Sequence, residues 1–288
     1  MRGKKNRLQK LILNKNLRAF FVPCAAHSLN LVVSDVAKIN FETIDFFGII
    51  QVIYHFFAKS VKRWFVLKSH ITSLTLKRFC DTRWESRINA LKPLRHQREE
   101  IYNALYEVFV DENFDQGSRH EAQILCSKLK GYQFLCCLIL WYDILLLINS
   151  VSEMLQNTQK STVLALLGIK NKKKDITTYR TDSSYESLLK IAKKLCEDLE
   201  EDPNFKKSLH VWKRKTNKQF SYEHKDEVQT LETKFRVNFV FSILDTTLVS
   251  LEERFTQIKE HNAYFDFLCE ISKLDLTDWK KLKKVVKI

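Results

Sequence analysis

Glycine and proline are nearly missing from this chain, with five and three residues respectively in 288. Average usage of the two together is roughly 12%. Sandwiches, barrels and propellers need many tight turns built on those residues, so an all-β fold is excluded and a mainly α chain is expected. Gly3, Gly48, Gly117, Gly131 and Gly168 also lie far apart. Neither a phosphate-cradling P-loop nor a G-x-G-x-x-G turn can be assembled from them, which removes the usual ATP-, GTP- and NAD-dependent chemistries. Acids are in deficit as well: 34 against 48 lysines and arginines, a net charge of +14.

The hydrophobic share is ample. It reaches 45%, with 20 Phe and 5 Trp, enough for a core and incompatible with global disorder. The basic residues are clustered: seven in 1–18, four lysines in 170–174, six basics in 206–218 and five lysines in 280–287. None of these stretches contains an acid. Such clustering suits a polyanion, with phosphate contacts supplying affinity and salt sensitivity. Solvated loops and helix ends are the plain alternative. The seven cysteines (24, 80, 126, 136, 137, 196, 269) are an odd number, and Met1 opens onto a basic stretch unlike a signal peptide. Reduced thiols inside the cell are expected. Phe134–Ile148 is a 15-residue apolar run interrupted by Tyr142 and Asp143. It falls short of the roughly 20 residues that span a bilayer, so a buried core helix is expected and no membrane.

Ala19–Val22, closed by Pro23, is the best strand candidate, apolar on both faces like an interior parallel strand. Around it, periodicity predicts helices over about 4–14, 24–38, 43–58 and 60–68. Thr82 is a plausible N-cap for a helix from Arg83 to about Arg98, continued or restarted to Val110. After a polar loop at 111–118, helices are expected over about 119–129, 131–156 and 161–168. A lysine loop at 170–175 and a helix over 183–201 follow, then a loop over 206–228. Val237, Phe241, Leu244, Leu248, Leu251 and Phe255 recur at heptad-like spacing, a seam for core packing or for a subunit contact along helix 228–260.

Two motifs could carry chemistry. Pro23-Cys24-Ala25-Ala26-His27-Ser28-Leu29-Asn30-Leu31 stands at the strand-to-helix junction, with Cys24 and His27 on one face of a helix N-terminus. That end favours a thiolate or a phosphate. The pair is half of a zinc site, an unsupported Cys–His nucleophile, or a junction that packs against or faces a nucleic-acid backbone. In Cys80-Asp81-Thr82-Arg83-Trp84-Glu85-Ser86-Arg87, an Arg–Trp pair joins a phosphate-binding fork to a stacking surface. A buried Trp beside a surface Arg is the alternative.

In this order, about fifty residues apart, the two motifs resemble the hAT superfamily of DNA transposases. Among its transposon-derived members, the zinc finger MYM-type protein 1-like proteins and the related repressors of the inhibitor of the interferon-induced protein kinase are the nearer likeness. It continues through Leu94-Arg95, Trp141-Tyr142-Asp143-Ile144-Leu145 and Lys218-Gln219-Phe220, covering most of residues 1–270. The resemblance implies a partial RNase H-like α/β core over 1–110 and an all-helical insertion domain over 111–288. It also implies a nuclear, DNA-associated protein. Its DNA contacts would be Cys24, His27, Arg83, Trp84, Arg87, Lys213, Arg214, Lys215 and Lys218.

Family members hold two Mg²⁺ or Mn²⁺ ions about 4 Å apart with two Asp and one Glu. By the resemblance the second Asp precedes a Met like Met1, the first lies further upstream, and the Glu belongs to a C-terminal Ser-x-x-x-Glu-Arg-like segment expected beyond residue 288. All three acids are therefore expected to be absent here, together with the zinc finger and the dimerisation segment. Asp35, mid-helix, and Asp81, inside the Arg–Trp motif, are not replacements. The expectation is an inactive internal fragment or decayed copy with no cofactor. A helical protein-interaction module without a DNA role, or an unstable pseudogene-like fragment, is the alternative.

Overall fold

The computed structural model describes residues 8–16, 19, 23–80, 84–156, 162–198, 201–205 and 230–265. Among these the chain is mainly helical and contains no strand. The strand expected at 19–22 lies outside the described residues except for Ala19, which belongs to no regular element.

Helix α1 (Leu8–Lys15) leaves Leu8, Leu11 and Ile12 exposed. Helix α2 (Ala25–Val36) buries Leu29, Val32, Val33 and Val36, the i, i+3, i+4, i+7 stripe of an amphipathic helix. Two helices joined by a short turn and in contact, α3 (Phe41–Ala58) and α4 (Val61–His70), follow. Asn40 caps α3 by accepting from Thr43 N at 2.9 Å, and Ser60 caps α4 by accepting from Arg63 N. An extended segment, 71–80, then leads into α5 (Trp84–His96) and α6 (Arg98–Val110). Gln97, between these two helices, is buried and holds the extended segment in place. Its Oε1 accepts from Leu74 N at 2.5 Å, and its Nε2 donates to Thr72 Oγ1 at 3.1 Å.

Helices α7 (Gln116–Lys130) and α8 (Tyr132–Gln156) come next. α8 is the centre of the molecule, touching α2, α3, α5, α7 and two later helices, α9 (Thr162–Tyr179) and α10 (Asp182–Glu197). It outruns the 15-residue apolar stretch, and both α8 and α3 are long and apolar enough to cross a membrane by length and composition alone. Two-thirds of the α8 window is buried inside the protein. Residues from 23–110 and from 111–265 contribute to one continuous core around Trp141, Phe56, Phe57 and Phe255.

Two readings of the sequence need correction. The lysine stretch 170–174 is not a loop: α9 runs through it to Tyr179. At Gly168 α9 passes close to α8, where an added Cβ would meet Met154 Cε, the flexible end of a side chain that would have to shift. Lysine is itself a good helix former, and nothing after Gly168 breaks the run. The heptad-like seam is also shorter than its spacing implied. After α11 (Leu231–Lys234) the chain forms a π-helical segment, Phe235–Phe241, before α12 (Ser242–Phe265). The wider turn rotates the buried face, so Phe235, Phe239 and Val240 are buried and Val237 is 48% exposed. From Leu244 onward the seam holds: Leu244, Leu251 and Phe255 are buried where α12 packs on α2 and α9.

Candidate nucleic-acid interface

Cys24 occupies the N-cap of α2, and its carbonyl accepts from Ser28 N at 2.9 Å while its side chain caps nothing. Because Leu29, Val32 and Val33 take the core face, Cys24 and His27 are left on the exposed face at the helix start. Among the described residues no three His, Cys, Asp or Glu side chains gather as a metal-binding group.

Asp81, Thr82 and Arg83 lie outside the described residues, and Trp84 opens α5 with its side chain outside them. The flanks of the motif are described. Ser86 Oγ accepts from Cys80 N at 2.7 Å and donates to Cys80 O at 3.0 Å, clasping the end of the extended segment to the first turn of α5. Arg87, read from sequence as a surface contact, is only 3% exposed. It precedes Ile88 on the inward face of α5, and its guanidinium packs over two adjacent rings, 4.7 Å from the centroid of Phe47 and 5.2 Å from that of Phe79. The rings meet edge-on at 5.6 Å.

This cluster forms one wall of a cavity of about 1010 Å³. Lys38, just past α2, and Arg78 and Phe79 of the extended segment line it, together with Phe47, Gly48 and Gln51 of α3. Lys38 and Arg78 are exposed, and no described lining residue is acidic. Gln51 Nε2 lies 2.9 Å from His55 Nε2, while Gln51 Oε1 is buried with no partner among the described residues. Gly48 sits mid-helix, and an added Cβ there would meet nothing within 4 Å. A helix-interior glycine costs roughly 0.5–1 kcal/mol relative to alanine, and no neighbouring protein atom explains it here. Of these residues the sequence pattern singles out Arg87 alone. The one further signal in the sequence is Gly48, isolated in an apolar helix.

The basic stretches are only partly described. Lys213, Arg214, Lys215 and Lys218, like all of 206–229 and 266–288, lie outside the described residues. Within 170–174, Lys172 pairs with Asp175 at 3.0 Å and Lys173 with Glu252 at 2.5 Å, while Lys170 and Lys174 are exposed. Two of the four lysines therefore serve the chain's own carboxylates. Asp35 is likewise engaged, accepting from Arg254 on α12. Bound to a cation and with no second and third acid converging on it among the described residues, Asp35 does not fit a two-metal clamp.

A smaller cavity, about 260 Å³, lies where α8, α9 and α10 meet. Burial raises the Asp143 carboxyl above its usual range, and Tyr179 Oη donates to it at 3.4 Å.

Compared with protein-family models, curated proteins and solved structures, this chain matches none.

Proposed function

We propose that the chain is a hAT transposase-derived, nucleic-acid-associated protein of the nucleus that performs no strand chemistry and binds no membrane. On this reading residues 1–110 are the remnant of an RNase H-like core and 111–288 an all-helical insertion. The observation that carries the proposal is the grouping of Lys38, Arg78 and Arg87 with Phe47 and Phe79 around one cavity, beside the Cys80–Arg87 motif and without a described acid. Cations for phosphate and rings for bases are the two elements of single-strand recognition. The net charge of +14 supports the same reading.

Retention on duplex and single-stranded DNA across a salt series tests it. Counterion release requires affinity to fall steeply with salt, and neutralising Lys213, Arg214 and Lys215 should flatten that slope by about one unit for each phosphate no longer paired with a cation. Trp84→Ala should weaken single strands selectively if the indole stacks on an unpaired base. Equal weakening for every DNA form, together with a lower melting temperature, would assign Trp84 to the core. Retention that ignores salt would remove the nucleic-acid reading.

A protein-interaction module is the second reading, and one observation favours it. Phe41 (76%) on α3 and Val61 (91%) and Phe65 (73%) on α4 are large apolar side chains left in water. The seam of α12 is less suited to that role, since Leu244, Leu251 and Phe255 already serve the chain's own core.

A further inference from the structure

We propose that the cavity between α3, the end of α2 and the 78–80 segment is a binding site for a single nucleoside phosphate. It deepens the nucleic-acid reading by naming the ligand class of that site. Three features point to this ligand. First, the wall formed by the edge-on rings of Phe47 and Phe79 and the Arg87 guanidinium packed over them is apolar and cationic, which suits an aromatic base. Second, Lys38 and Arg78 are exposed cations lining the same cavity, with no described acid there to neutralise them, so a phosphate attached to that base meets opposite charge. Third, Gly48 leaves the α3 backbone bare at the cavity, where an added Cβ would meet open space. Glycine is the residue that lets a ligand approach backbone closely.

Size and polarity agree with the assignment. At about 1010 Å³ the space stands at the upper end of small-molecule sites, which are mostly apolar with a few placed polar groups. Gln51 adds such a group: its buried Oε1 lacks a partner among the described residues, and an amino group on the ligand would supply the missing donor. A protein segment is the less favoured occupant, because a peptide has no reason to require the combination of an aromatic, cationic wall and an acid-free rim.

Calorimetric titration of the full chain with adenosine monophosphate, adenosine and inorganic phosphate tests the proposal. The monophosphate is expected to bind saturably and at least tenfold more tightly than either part. Gly48→Leu, which fills the cavity from the helix side, should weaken it more than tenfold while the melting temperature holds or rises. Arg78→Glu, at an exposed position, should weaken the monophosphate more than tenfold and leave adenosine unchanged. Equal affinity for all three probes, no binding of any, or a Gly48→Leu protein that binds like wild type would each overturn the proposal. A short single strand that displaces the monophosphate would assign the site to a strand nucleotide, and one that fails to displace it to the free nucleotide. Salt-dependent DNA retention is a separate readout. Its absence with monophosphate binding intact removes the nucleic-acid reading and keeps the cavity; the reverse removes the cavity alone.

Discussion

The guanidinium of Arg254 on α12 donates to the carboxylate of Asp35 on α2, joining side chains 219 positions apart. Ser250 Oγ stands 3.5 Å from the same carboxylate oxygen, so one acid receives two donors from one face of α12. The pair lies at the edge of an interface whose apolar residues, among them Val32, Val33, Leu251 and Phe255, are buried.

Partly solvated ion pairs are worth about 0.2–1 kcal/mol. Asp35→Asn is therefore expected to lower stability in urea denaturation by no more than that amount. It should also leave DNA retention unchanged and alter no Mg²⁺- or Mn²⁺-dependent nicking. Metal-dependent nicking that vanishes in this variant would restore Asp35 as a catalytic ligand.

Gln97→Ala should be costly for its size. The substitution strands the Leu74 N–H that Gln97 Oε1 accepts and frees Thr72 at the same time. A buried donor left unmade costs about 1–3 kcal/mol. Amides of 72–79 should then exchange faster with solvent, and the expected drop in stability is about 2 kcal/mol. Unchanged exchange in that segment would show that Leu76, buried in the core, anchors it unaided.

Trp141 separates volume from hydrogen bonding. It is 1% exposed, and its indole Nε1 has no hydrogen-bond partner among the described residues. Trp141→Ala should cost about 3–5 kcal/mol as a cavity. Trp141→Phe, which keeps most of the ring and removes an unbonded donor, should cost only about 1–2 kcal/mol. Comparable destabilisation by the two substitutions in urea would reveal an acceptor for the indole.

Acid sensitivity should reside partly in Glu252. Hydrogen bonds from Lys173 and then Lys259 hold its carboxyl down from the ordinary 4.5 to about 2. A depressed folded value means the stabilisation is fully present above about 4.5 and is lost as pH falls toward about 2. The group is largely exposed, so solvent screening limits the effect to about 1 kcal/mol or less. Glu252→Gln should therefore narrow the gap in melting temperature between pH 6 and pH 3. An identical gap in the two proteins would remove Glu252 as a source of acid sensitivity.

The scarcity of glycine and proline sufficed to predict a mainly helical chain, because few sites remained where a helix had to stop. Apolar spacing placed α2, α3 and α8 to within a few residues, since a one-sided or continuous apolar run has one stable solution at those lengths. Local pattern misled at 170–174, where a run of lysines read as a loop continues α9, with Lys173 reaching Glu252 on α12. It misled again at Phe235–Phe241, where a π-helical turn breaks a regular heptad spacing. Both depend on what lies across an interface, which is information one segment does not contain.

For the candidate site the division is sharper. The sequence by itself determined that cations cluster and that an Arg–Trp motif precedes a helix, properties of residue order alone. Only the tertiary structure decided that Arg87 turns inward over Phe47 and Phe79, and that Lys173 and Asp35 serve ion pairs within the chain. The cavity joins α2, α3 and the 78–80 segment, parts of the chain up to fifty residues apart. Their proximity follows from burying the apolar faces of α2 and α3 together with Leu76 of the connecting segment, so no segment could have disclosed it alone.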